Sequence, residues 1–204
     1  NITKTNYAEY NPEKARQLLK EAEKVHGGPI PPLKIALEGT STFYRQIGQF
    51  MEKNYTDVGL QVELHFMDWP TYLEKLKTRS LQIFTSGWVA SIPDAEDFLG
   101  VFYSKNWAPG SNSFNYKNEE YDRLYEKVSV MLDSPERREL YRKMELIVLE
   151  DCPAAFKCHR VIYRLHHGWF GNYKQHAFQH GRGKYYKVDT EKRAAYKELL
   201  KKVK

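Results

Sequence analysis

LKIALEG (33–39), LQVELHFMD (60–68) and LQIFTSGW (81–88) decide the fold class. Each is a short stretch rich in apolar and β-forming residues; the first two alternate as half-buried strands do, and the third reads as a largely buried strand. The segments between them have helical spacing. Thr40, Ser41 and Thr42 offer N-caps for a helix carrying Ile47, Phe50, Met51 and Tyr55 on one stripe, with Gly59 at its C-terminal cap. Pro70 opens a second, shorter helix bearing Tyr72, Leu73 and Leu76. Strand, helix, strand, helix, strand is the sequence form of a parallel α/β unit with right-handed crossovers. Ligands on such sheets collect at the carboxyl ends of the strands, so the loops EGTST (38–42), MDW (67–69) and GWVAS (87–91) are the candidate site.

Upstream, Asn11, Pro12 and Glu13 read as N-cap, N1 and N2 of a helix over about 12–25, and GGPIPP (27–32) is a stiff breaker. Downstream the chain is more helical. Asn118 caps a helix reaching about residue 132, and Ser134-Pro135-Glu136 begins another that turns Leu140, Met144, Ile147 and Val148 inward. Pro153 stops it, AAFKCHRVIYRLHH (154–167) alternates as a strand, and 168–187 is irregular. Residues 190–204 have helical spacing and a strongly charged character.

Composition and charge narrow the function classes. With 204 residues, 41% of them hydrophobic, the chain can bury a substantial core. Its apolar runs fall far short of the roughly 20 residues that span a bilayer. Its start, NITKTNYAEY, lacks an initiator Met and an apolar leader, as expected of a cut inside a longer protein. The net charge of +6 is unevenly placed: residues 160–204 hold 12 of the 32 Lys and Arg and only 3 of the 26 Asp and Glu. Such a basic tail can bind polyanions, but a solvated surface explains it as well. Cys152 and Cys158 lack the spacing of a zinc knuckle or redox pair, and a helix-end cysteine need not reach bridging distance of one in a following strand. Five of the seven histidines (His159, His166, His167, His176 and His180) fall in one stretch without a ligand pattern. His166 and His167, adjacent on a strand, would face opposite sides. No nucleophile with a recognisable base and no phosphate loop is present, so neither catalysis, a metal nor a cofactor is expected.

The run MDWPTYLEKLKTRSLQIFTSGWVASIPDAEDFL (67–99) resembles the peptide- and nickel-binding family of ABC-transporter solute-binding proteins, whose pattern is roughly DW..Y...L....D...GW.AD.PDP..FL. YNPEKARQLLKEA, FNYKNEEYDRLYEKV and SPERRELYRKMELIVLEDCPAAF resemble further segments of that family, in its order, across about residues 7–165. The resemblance implies an α/β fold: a type II periplasmic-binding-protein-like lobe with a mixed sheet flanked by helices, a fragment of a two-lobed protein. It implies that residues 1–165 form the C-terminal lobe and 166–204 a return tail that packs on a missing N-terminal lobe. The implied function is capture of a small peptide or peptide-like solute for uptake through an ABC transporter membrane permease, without enzymatic activity and without nucleic acid. The implied location is periplasmic or extracellular, with a lipid anchor left open.

By the same resemblance, Trp69 lines a side-chain pocket and Trp88, Val89, Ala90 and Ser91 form the ligand loop. Aromatic faces suit varied ligands because they bind by area and stacking. Peptide-binding relatives place an aspartate three residues after the GW tryptophan to hold the ligand's α-amino group, and here that position is Ser91. A hydroxyl supplies no charge, which favours a non-peptide solute such as an oligosaccharide, an opine-like molecule or a metal complex as the alternative ligand. Asp94, Glu96 and Asp97 read as caps of a short helix through Leu99, while Tyr72, Trp107 and Asn115 are weaker ligand candidates, with stabilisation of the loops as the alternative role.

Overall fold

A computed structural model of the chain describes residues 9–159, 161–176, 178 and 181–202. Two compact units divide it: Asn1–Ala90 with Asp94–Phe156, and Ser91–Pro93 with Lys157–Lys204.

The first unit opens with α1 (Pro12–His26), whose start is held by the Asn11 side chain accepting from the Lys14 N–H at 2.9 Å. Gly27, at φ 83°, takes the left-handed cap position that favours glycine. Then follow β1 (Leu33–Leu37), α2 (Thr42–Asp57), β2 (Val62–Phe66), α3 (Trp69–Lys77) and β3 (Ile83–Phe84). The three strands form a parallel sheet of order β2-β1-β3, with Leu33 opposite Val62, Leu37 opposite Phe66, and Ala36 opposite Phe84. Central placement buries β1: Ile35 and Leu37 are wholly inaccessible. Gly48 brings α2 close to β2, because a Cβ there would lie 3.0 Å from the Phe66 ring and 3.1 Å from Leu64.

The rest of the first unit is α4 (Glu96–Leu99), two 3-10 turns (Gly100–Phe102 and Ser104–Asn106), α5 (Glu119–Ser129) and α6 (Pro135–Asp151). Asn118 and Ser134 cap α5 and α6 through their side-chain oxygens, as their sequence positions predict. Leu140, Tyr141, Met144 and Val148 of α6 meet Tyr121 and Val128 of α5 and Leu99, Val101 and Phe102 in one apolar cluster, with Ile147 half-buried against it. Stacking of Phe114 on Phe102 (5.0 Å) and on Phe84 (5.7 Å) joins this cluster to the sheet. The second unit contains β4 (Phe170–Gly171), β5 (Lys187–Val188), paired antiparallel, and α7 (Thr190–Lys202).

Several local expectations need correction. The third strand is two residues long and half-buried, since it pairs with β1 alone and Ser86-Gly87 bring little side chain to pack. Residues 154–167 form no strand among those described; Val161, Ile162, Tyr163 and Leu165 are exposed, and alternation without a pairing partner makes no ladder. His166 and His167 are therefore not on opposite faces of a strand: His166 stacks with Phe170 and lies tilted against Tyr173, and His167 stacks with Trp169. Phe50 lies outside the inward stripe of α2, 70% exposed. Val58 caps α2, and Gly59 follows it at φ 100°. The three-stranded sheet is parallel throughout, and among the described residues antiparallel strand pairing joins β4 and β5.

Candidate functional site

The carboxyl edge of the three-stranded sheet is built by its own backbone. The Met67 N–H donates to the Leu37 carbonyl and the Thr85 N–H to the Ala36 carbonyl, each at 3.1 Å, so the loops leave the sheet side by side. Asp68 then caps α3 by accepting from the Thr71 N–H at 2.9 Å. That bond, with the Thr71 hydroxyl, holds the Asp68 carboxyl below its ordinary value. Tyr72, one turn into α3, is wholly buried, and its hydroxyl donates to the Thr85 carbonyl at the end of β3. Burial pushes the Tyr72 phenol well above its ordinary value, the Glu38 charge adds to the rise, and the bond to Thr85 opposes it. Tyr72 is thus a neutral strut tying α3 to β3.

Trp69 stacks on this strut, ring centroids 5.9 Å apart and planes 16° from parallel, yet remains 54% exposed. Trp88 is 48% exposed and Val89 86%, while Ala90 is half-buried. These four belong to the first unit; Ser91 is exposed and begins the short segment assigned to the second. Large apolar surfaces left at the mouth of a parallel sheet are what a contact surface offers and what a packed core does not.

The acidic group after Ser91 has a structural role. Asp94 accepts from the Glu96 N–H (2.9 Å), the Tyr141 hydroxyl (2.9 Å) and the Arg137 guanidinium (2.6 Å), and Arg137 also reaches Glu96 at 3.2 Å. Burial works to raise the Asp94 pKa, but these donors together hold it below its ordinary value. The sequence position of Asp94 indicated capping; its pairing with Arg137, 43 residues away, carried no sequence signal. The loop stabilisers are equally occupied. The Trp107 indole donates to the Tyr116 carbonyl at 2.7 Å, with the Arg79 guanidinium 5.2 Å from its ring, and Asn115 takes a left-handed turn at φ 53°. Sequence reasoning missed Asn112, which is fully buried and bonds the Tyr103 and Tyr116 carbonyls at 3.0 Å.

Among the described residues, no group of three or more His, Cys, Asp or Glu side chains converges as a metal site requires, and no helix is long and apolar enough to cross a membrane. His180 lies outside the described residues, as do Tyr7 and the other residues before Glu9. Cys152 and Cys158 are exposed free thiols, with Cys152 capping α6 in a left-handed conformation.

Residues 1–110 match the model of the bacterial extracellular solute-binding proteins, family 5, middle region. The chain belongs to this family. Among family 5 relatives, it is 29% identical over 138 residues to the oligopeptide-binding protein of Bacillus subtilis, an alignment covering 67% of this chain and 25% of that protein. Its fold superposes on a periplasmic oligopeptide-binding protein of Borrelia burgdorferi with a TM-score of 0.65 and 31% identity, covering 75% of this chain and 30% of that one. A periplasmic binding protein of Helicobacter pylori, solved with the peptide STSA, gives a TM-score of 0.63 and 28% identity over 71% of this chain and 28% of that one. The chain therefore spans about a quarter to a third of the length of these solute-binding relatives.

Proposed function

We propose that this chain supplies one wall of the ligand cleft in a two-lobed solute-binding protein that captures peptides or peptide-like solutes outside the cytoplasm and presents them to an ABC transporter permease. The observation that carries the reading is the exposed pair Trp69 and Trp88, held at the carboxyl edge of a parallel sheet in a member of family 5. The Helicobacter pylori relative, solved with a peptide, supports peptide as the ligand class. On this reading residues 166–204 return to the other lobe, no bond is made or broken in the ligand, and any lipid anchor belongs to the longer polypeptide. Closure of two lobes around solute is a hinge motion, and the closed population is what a membrane partner can read. Ser91 favours a second reading, a non-peptide solute, because a hydroxyl offers an ammonium group no charge.

One wall alone neither encloses the ligand nor excludes water, so this chain should bind short peptides with a Kd of about 1 mM or weaker. Titration of the ¹⁵N-labelled chain with tri-alanine tests the placement. The four tryptophans give four indole signals. Those of Trp69 and Trp88 should move, while Trp107, bonded to the Tyr116 carbonyl, and Trp169, packed near Tyr196, should stay. Movement confined to Trp107 or Trp169, or no movement at all, would overturn the placement. Submicromolar binding would overturn the half-cleft.

A further inference from the structure

Each strand of the parallel sheet leads from its carboxyl end to an exposed aromatic side chain. β2 ends at Phe66 and the chain reaches Trp69; β3 ends at Phe84 and the chain reaches Trp88; β1 ends at Leu37 and the chain reaches Phe43, the second residue of α2. Phe43 is 63% exposed. Its ring meets Tyr44 edge to face, with centroids 5.5 Å apart and planes at 77°. A Cβ at Gly39 would overlap the Tyr44 ring, so that ring rests directly on the loop backbone. The Arg45 guanidinium donates to the Thr40 carbonyl at 3.3 Å and lies 5.7 Å from the centroid of Phe66, which ties the same turn to the end of β2. Tyr44 also lies close enough to Tyr72 to add to the rise that burial, first, and the Glu38 charge impose on the Tyr72 phenol. Phe43 is thus braced by Tyr44 as Trp69 is braced by Tyr72. Exposure alone does not single it out, because Phe50 on the same helix is 70% exposed. Position does: Phe50 lies about 10 Å further along α2, away from the strand-end edge.

We propose that Phe43 is a further aromatic contact of the ligand wall, taking one bulky apolar side chain of the bound peptide. This rests on the reading of that edge as the ligand wall. Aromatic rings attract partners that stack offset or meet them edge to face, and a ring already held by a neighbour loses little freedom in accepting one. The gain grows with the apolar area covered, so the contact separates a large side chain from a small one at a single position of the ligand. The ligand class is a peptide or peptide-like molecule with an aromatic or large aliphatic residue at that position.

The test titrates the ¹⁵N-labelled chain with tri-alanine and with Phe-Ala-Ala, Ala-Phe-Ala and Ala-Ala-Phe, read at the Trp69 and Trp88 indole signals. Wild type should bind one of the phenylalanine peptides more tightly than tri-alanine. Phe43→Ala should weaken that peptide about threefold to tenfold and leave tri-alanine unchanged, while Phe43→Leu, which keeps much of the apolar area, should retain part of the preference. Phe50→Ala, on the same helix but away from the edge, should change neither. Both side chains are exposed, so these substitutions leave the core intact. No preference in wild type, no loss in Phe43→Ala, an equal weakening of tri-alanine, or an equal effect of Phe50→Ala would overturn the assignment, while the ligand wall stands provided tri-alanine still moves Trp69 and Trp88. If no peptide moves those signals in the wild-type chain, both readings fall.

Discussion

Replacing Arg137 with Met probes what holds the loop after Ser91 to the helical half of the first unit. The side chain is 8% exposed and donates to the Val128 carbonyl at 3.0 Å, to Asp94 at 2.6 Å and to Glu96 at 3.2 Å. Removing one partner of a buried ion pair costs about 3–5 kcal/mol, because the other charge is stranded. Asp94 and Glu96 keep 30% and 29% exposure, so water recovers part of the loss, and Met retains most of the apolar packing. The expected loss is about 2–3 kcal/mol at neutral pH. The Asp94 pKa is depressed in the folded protein, so its contribution is present above the ordinary value of 3.8 and is lost as pH falls through the folded value. The difference between wild type and Arg137→Met should therefore shrink below about pH 4, where protonation neutralises the stranded carboxylate. Urea unfolding followed by circular dichroism at pH 7 and pH 3 measures both quantities. A loss below about 1 kcal/mol at pH 7, or an equal loss at both pH values, would refute the reasoning.

Gly48→Val should cost about 1–3 kcal/mol in the same unfolding assay, since the added methyls meet the Phe66 ring and Leu64; an unchanged midpoint would mean that α2 can lift from β2 freely. In the two-lobed protein, Ser91→Asp should raise affinity for peptides with a free α-amino group by roughly tenfold and leave or reduce affinity for their acetylated forms. Calorimetry finding an equal change for both would show that position 91 does not face the amine.

The order of elements was legible because its signals are local. Asn11, Asn118 and Ser134 each accept from a backbone N–H two or three residues ahead, an interaction that residue type and spacing announce without reference to the rest of the chain. Alternation in β2 likewise appears as alternating burial. The failures are those of long range. Residues 154–167 alternate correctly, but pairing depends on a neighbour that alternation does not specify, and Phe50 fits the apolar stripe of α2 while facing outward. The strand-end rule named three candidate loops and the resemblance named Trp69 and Trp88, and the structure leaves both tryptophans about half exposed at that edge.

On the proposed ligand wall, rigidity and recognition would fall to different groups. Beneath it, Tyr72 is bonded to Thr85, Asp68 to Thr71, Arg79 to the Ala108 carbonyl and Asp94 to Arg137, so the loops are fixed by groups that a ligand need not touch. Above it stand Trp69, Trp88 and Val89, which offer area with few directional demands. Loops already held in place lose little conformational freedom when ligand arrives, so more of the contact energy appears as affinity. Apolar area discriminates poorly between similar side chains, whereas an unpaired charge in a closed cleft is heavily penalised. Selectivity on such a wall must therefore fall to its few polar positions.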